Sequence, residues 1–226
     1  MLRAVIFDFD GVITDTEILH LRAFNEVLAQ YGIEITAKDY YKDYLGLTDF
    51  DCFKLFIYEG WLKLDFSEIE NLVGQKNRTF EKLAKTEGRI IGGVRDFLQM
   101  LKQNNIPMAI CSGSLQTEIE LVLEEARLRS FFEVIVSAED VRKNKANPEG
   151  FLMTLQRLNE GSRNPVLPSQ CIVVEDSHWG IEAAKSAGMH TIAVTNSYDA
   201  KQLAMAEKVV PDLGQLSISD LHELCG

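Results

Sequence analysis

Two aspartates, two residues apart, close the first apolar run of the chain. Ala4-Val5-Ile6-Phe7 leads straight into Asp8-Phe9-Asp10-Gly11. A short apolar run bounded by turn residues predicts a buried strand ending at Asp8, with Gly11 supplying the tight turn. Two carboxylates crowded on one loop repel each other unless a cation or a shared proton holds them. Ligands of open α/β sheets bind outside the carboxyl ends of the strands, which is where this pair would lie. A second apolar run, Cys171-Ile172-Val173-Val174, also ends in acids, Glu175-Asp176, ahead of a helical pattern with Ser177 as its N-cap. A third, Met108-Ala109-Ile110-Cys111, ends in Ser112-Gly113-Ser114, whose hydroxyls and backbone N–H groups suit a phosphate. Lys145 precedes Asn147-Pro148-Glu149, which reads as a helix start. An oxygen-rich acidic pocket of this kind suits Mg²⁺, which commonly shares its shell with phosphate oxygens.

Taken together, these residues resemble the haloacid dehalogenase superfamily of phosphotransferases. Asp8 to Glu17 is similar to its first motif, Ser112 to its second and Lys145 to its third. Glu175-Asp176-Ser177, with Gly180, Ala183, Ala184, Ala187 and Gly188, is similar to its fourth. The resemblance spans nearly the whole chain, in the right order, and is nearest to the branch holding β-phosphoglucomutase and small-metabolite phosphatases. The family usually has proline after its third-motif lysine, whereas this chain has Ala146; Lys143 is a nearby competitor, and the spacing to Pro148 favours Lys145.

Phosphoryl transfer asks for a nucleophile, a proton donor for the leaving oxygen, and positive charge around the phosphoryl group. Asp8 is the expected nucleophile, forming an aspartyl-phosphate, and Asp10 the expected acid–base group. Asp8 and Asp176 are expected metal ligands. The resemblance adds the Asp10 backbone carbonyl, and Glu175 binds either directly or through water. Ser112 and the Gly113 N–H are expected to hold the transferring phosphoryl group, and Lys145 to offset the negative charge.

The elements that must position these residues fall into two patterns. Strand-like runs stop after Val12-Ile13 and resume near Ile106; between them lie helical periods. Leu21, Phe24, Val27, Leu28 and Tyr31 recur at helical spacing before Gly32, Thr48 is placed to cap a second helix, and Ser67 with Glu70 forms a capping box before a third. Such a block is too long for a loop. From Val94 onward helix and strand patterns alternate, which predicts a parallel sheet covered by helices. The expected fold is therefore α/β: a Rossmann-like parallel sheet core formed by 1–14 and 88–226, with an inserted helical cap domain, 15–87. The resemblance implies the same arrangement, with the cap closing over the core.

Substrate contacts from the cap are expected from Thr48, Asp49, His20 and Lys76, although His20 could equally be a satisfied side chain and Phe53, Phe56 and Phe80 read as cap core. β-Phosphoglucomutases carry an arginine at the position of Asp49 and a lysine at that of Leu45, to grip a second phosphate. An acid in place of arginine inverts that charge, which favours a phosphatase over a mutase.

Composition excludes other classes. The net charge of −11 argues against nucleic acid as a partner. No apolar run approaches the roughly 20 residues that span a bilayer, and Asp8 and Asp10 interrupt the only apolar stretch that a signal peptide could use. Cys52, Cys111, Cys171 and Cys225 lack zinc spacing, so free thiols in a reducing cytoplasm are expected. The reading is a cytoplasmic, Mg²⁺-dependent phosphatase of small phosphorylated metabolites, sugar phosphates foremost, with a monomer expected and the oligomeric state beyond the sequence. A phosphomutase is the alternative, and a non-catalytic binding protein of the same fold the more distant one.

Overall fold

The computed structural model describes residues 1–45, 47–141 and 147–226. The chain forms two compact units, one of Met1–Asp15 with Arg89–Gly226 and one of Thr16–Gly88.

In the first unit, β1 (Ala4–Phe7) is wholly buried, as expected of an uninterrupted apolar strand in a parallel sheet covered on both faces. The second unit holds α1 (Glu17–Leu28), the single turn α2 (Ala37–Asp39), α3 (Asp49–Tyr58) and α4 (Ile69–Glu87). The first unit then continues through α5 (Val94–Gln103), β2 (Met108–Cys111), α6 (Gln116–Glu125), β3 (Val134–Val136), α7 (Glu149–Leu158), β4 (Cys171–Glu175), α8 (His178–Ser186), β5 (His190–Val194), β6 (Lys208–Val210) and α9 (Ile218–Cys225).

The strands form one parallel sheet in the order β3-β2-β1-β4-β5-β6, with Val5 opposite both Met108 and Ile172. After β1 the chain fills one side of the sheet, then crosses back to fill the other. The order therefore reverses between β1 and β4, the switch point at which such sheets open a crevice. Ala4, Ile6, Ala109, Cys171 and Val173 pack one sheet face against Phe151 and Leu155 of α7 and Ala183 and Ala184 of α8. On the other face Phe7 meets Phe97 and Phe132 edge-on, 6.0 and 5.9 Å between ring centres. β6 lies outside the sequence expectation. It is a three-residue edge strand that begins with a lysine, too short for alternation to register.

The helical unit has its own core, in which Phe24, Phe53 and Phe56 pack with Leu28, Ile35 and Leu72. Thr48 caps α3, its Oγ1 accepting from the Asp51 N–H at 3.1 Å. The expected Ser67–Glu70 box is replaced by Asp65, whose carboxylate accepts from the Ser67 N–H at 2.9 Å and starts a 3₁₀ turn ahead of α4. In the capping box the Ser67 N–H would go to the Glu70 carboxylate, and the Asp65 carboxylate, two residues upstream, takes it instead. Among the described residues, no helix is long and apolar enough to cross a membrane.

Candidate active site

Asp8 follows the last residue of β1, and its N–H donates to the Val174 carbonyl of β4 at 2.9 Å. That ladder bond places Asp8 beside the acids that end β4. Asp8, Glu175 and Asp176 are all buried, and each offers a carboxylate oxygen within 4.8 Å of those of the other two. Three carboxylates this close cannot all stay charged in a buried pocket without a cation or a proton between them. The donor set is all oxygen, hard in character, and suits Mg²⁺ rather than zinc.

Glu175 is held by its own loop. Its Oε2 accepts from the Asp176 N–H and the Ser177 N–H at 3.0 Å each, and from Ser177 Oγ at 2.8 Å. Ser177 also caps α8 by accepting from the Gly180 N–H at 3.2 Å. A Cβ at Gly180 would fall 2.0 Å from Glu175 Oε1, so only glycine leaves room for that carboxylate.

The Asp10 side chain does something different from Asp8. Its carboxylate lies outside the three-acid cluster among the described residues, and it accepts a hydrogen bond from Ser114 Oγ. The expected part of Asp10 in the metal site was its backbone carbonyl, and the side-chain contact leaves that expectation as it stood. The loop is held in shape by the Gly11 N–H donating to the Thr14 carbonyl at 2.7 Å, with Gly11 in the left-handed region at φ +77°. Ser112 follows β2, is buried, and lies 3.2 Å from Ser114 Oγ; its own Oγ accepts from the Ser114 N–H at 3.1 Å. Nothing lies within 4 Å of a Cβ built on Gly113, so its backbone faces open space that a phosphoryl group could enter. α6 starts at Gln116, with Leu115 at its N-cap position. Lys145 and its competitor Lys143 lie outside the described residues.

The candidates in the helical unit form a separate group. Lys76 is fully buried and its Nζ donates to Asp49 Oδ2 at 2.7 Å. The same ammonium lies 2.6 Å from His20 Nδ1, and 5.4 and 5.1 Å from the ring centres of Phe24 and Phe80. His20 stacks on Phe80 at 4.1 Å. Burial, and then the Lys76 charge, hold His20 well below its ordinary pKa, so the ring is neutral near pH 7. Asp49 is thus an ion-pair partner of Lys76, where the sequence suggested an acid facing an outer phosphate. Thr48 spends both of its polar functions on Asp51, donating to Oδ2 at 2.7 Å besides accepting from the N–H.

Two polar residues near the acids, Asn196 and Ser197, carry no role in the sequence reading, and Ser114, read there as part of a phosphate-binding turn, is engaged with an acid. Ser114 donates to Asp10. Asn196 Nδ2 donates to the Gly11 carbonyl at 2.7 Å, and Ser197 Oγ donates to Asp176 Oδ2. Asn196 and Ser197 follow the carboxyl end of β5, so the rule that singled out Asp8, Ser112 and Asp176 also points to them. The thiols stand apart from this chemistry: burial pushes Cys52 and Cys171 up to about 12.

A family model for haloacid dehalogenase-like hydrolases matches residues 5–194. A phosphorylated carbohydrates phosphatase from Thermotoga maritima is 33% identical over 211 residues, covering 92% of this chain and 93% of its own. The beta-phosphoglucomutase of Bacillus subtilis is 29% identical over 226 residues, covering 98% and 95%. Among solved structures, a beta-phosphoglucomutase from Clostridium difficile matches with a TM-score of 0.83 and 29% identity, over 100% of this chain and 97% of that one.

Proposed function

Because this chain belongs to the haloacid dehalogenase-like hydrolase family, we propose that it is a Mg²⁺-dependent phosphatase of small phosphorylated metabolites, sugar phosphates foremost. One observation carries the reading: three buried carboxylates, Asp8, Glu175 and Asp176, converge at the reversal point of the sheet. Asp8 and Asp176 would hold the metal with the Asp10 carbonyl, and Glu175 directly or through water. Bound there, Mg²⁺ would neutralise charge on the phosphoryl oxygens.

Asp8 attacks phosphorus, forming the Oδ–P bond as the ester P–O bond breaks. Asp10 gives its proton to the departing alkoxide. It then takes a proton from the water that attacks the aspartyl-phosphate, releasing inorganic phosphate and restoring the Asp8 carboxylate. Ser112 Oγ and the Gly113 N–H bind the phosphoryl oxygens, and Lys145 offsets their charge. Ser114, by donating to Asp10 Oδ2, holds the Asp10 side chain in a fixed rotamer.

Relatives of both kinds, phosphatase and mutase, keep a phosphomutase as the second reading. The Asp49–Lys76 pair favours the phosphatase, since it neutralises the one buried cation described in the helical unit's candidate set. The test is a panel of sugar phosphates with purified protein, following free phosphate and, with β-glucose 1-phosphate, the 6-phosphate. We expect phosphate release that EDTA abolishes and Mg²⁺ restores, and a loss of several orders of magnitude in Asp8→Asn. Release that ignores chelation, or a folded Asp8→Asn protein at near wild-type rate, would overturn the reading. Conversion to the 6-phosphate without net phosphate release would make the protein a mutase.

A further inference from the structure

We propose that Ser197, supported by Asn196, is the positioning residue for Asp176, so that the end of β5 sets the affinity of the metal site. This rests on the reading of Asp8, Glu175 and Asp176 as that site.

The Asp176 carboxylate is buried and confined from two sides. On one side lies the bare Cα of Gly11: a Cβ there would be 1.8 Å from Asp176 Oδ2 and 3.0 Å from Ser197 Oγ. On the other, Ser197 Oγ donates to the same Oδ2. An oxygen both packed against backbone and hydrogen-bonded cannot rotate freely about χ2, so the tilt of the carboxylate towards Asp8 and Glu175 is set before any ligand arrives. The glycine wall is itself held from β5, because the adjoining Asn196 Nδ2 donates to the Gly11 carbonyl at 2.7 Å. Two consecutive residues thus fix both the metal-ligand side chain and the loop that packs against it. Neither residue belongs to the acid motifs, and both reach the site only because β5 lies next to β4 in the sheet.

Hydrogen-bond partners of metal ligands orient them, and their loss typically weakens metal binding about 10- to 100-fold. The chemistry itself stays with Asp8 and Asp10, which predicts a separation of effects. The experiment measures Mn²⁺ binding directly, by electron paramagnetic resonance of the free ion, alongside Mg²⁺ titration of phosphate release. Ser197→Ala should raise the Mn²⁺ dissociation constant and the half-saturating Mg²⁺ by about 10- to 100-fold, with kcat and substrate KM close to wild type at saturating Mg²⁺. Ser197→Thr, which keeps the hydroxyl, should restore binding, and the melting temperature in EDTA should be unchanged in both. Asn196→Ala should weaken Mn²⁺ in the same direction. A Ser197→Ala protein that binds Mn²⁺ as tightly as wild type overturns the role of Ser197. Wild-type protein that binds no Mn²⁺ overturns the metal reading itself.

Discussion

Adding one methyl group at each of two helical glycines should move stability in opposite directions. Gly180 lies in the first turn of α8 and Gly74 within α4. In a helix, alanine is favoured over glycine by about 1 kcal/mol. At Gly74 the new methyl meets nothing closer than the Arg78 guanidinium at 3.5 Å, so the full gain is expected. At Gly180 it would land 2.0 Å from Glu175 Oε1 and 2.2 Å from Cδ. The carboxylate must then swing away, and Oε2 gives up two of the three bonds that it accepts from the Asp176 N–H, the Ser177 N–H and Ser177 Oγ. Hydrogen bonds to a charged group are worth roughly 1.5–3 kcal/mol each, so losing two costs about 3–6 kcal/mol. Set against the helical gain, the net loss is about 2–5 kcal/mol. At this chain length each kcal/mol shifts Tm by about 2–4 °C, so Gly180→Ala should melt about 4–20 °C lower and Gly74→Ala about 2–4 °C higher. Thermal unfolding is followed by circular dichroism in EDTA, so that metal binding does not contribute, and is read on the transition of the unit carrying each change. A Gly180→Ala protein that melts at or above wild type would refute the packing of Glu175 against α8.

Two further outcomes concern the buried group in the helical unit. The native His20 pKa lies below its unfolded value, so the unfolded chain binds the extra proton first, and stability falls as pH drops from about 6.5 towards the native pKa. The slope for one such proton is at most about 1.4 kcal/mol per pH unit. Urea unfolding at pH 7.5 and 5.5 should show a larger acid loss in wild type than in His20→Gln; equal losses would show that His20 does not titrate this way. Asp49→Asn takes the Asp49 carboxylate away from the fully buried Lys76 ammonium. Breaking a buried pair costs about 3–5 kcal/mol, and water reaching the partly exposed Asp49 should reduce this to about 2–3 kcal/mol. The double variant with Lys76→Met should be no less stable than Asp49→Asn alone, and additive losses in urea unfolding would refute the pairing.

Much of the site was legible because its carriers are local. Each apolar run that ends in acids or hydroxyls states its own strand and its own ligand, so Asp8, Ser112, Glu175 and Asp176 could be singled out one run at a time. Helical spacing likewise marked Phe24, Phe53 and Phe56 as core, and all three are buried. Signals failed where an element was short or where two local partners competed. β6 is three residues long, and Asp65 displaced Ser67 as the cap before α4.

The sequence by itself determined the chemistry available at each strand end and the class of sheet that would gather it. Only the tertiary structure decided who meets whom. Ser114 reaches Asp10 across 104 residues of chain, Asn196 reaches Gly11 across 185, and Lys76 reaches Asp49 across 27. Local periodicity encodes burial, but it does not encode strand order. The order β2-β1-β4-β5 brings the loops after β1, β4 and β5 side by side, and the Ser197 hydroxyl becomes a partner of the Asp176 carboxylate only once that neighbour is in place. For Asp49 the deciding fact is burial: Lys76 is shut away from water, and a buried ammonium draws a carboxylate to it because leaving buried charge uncompensated is costly.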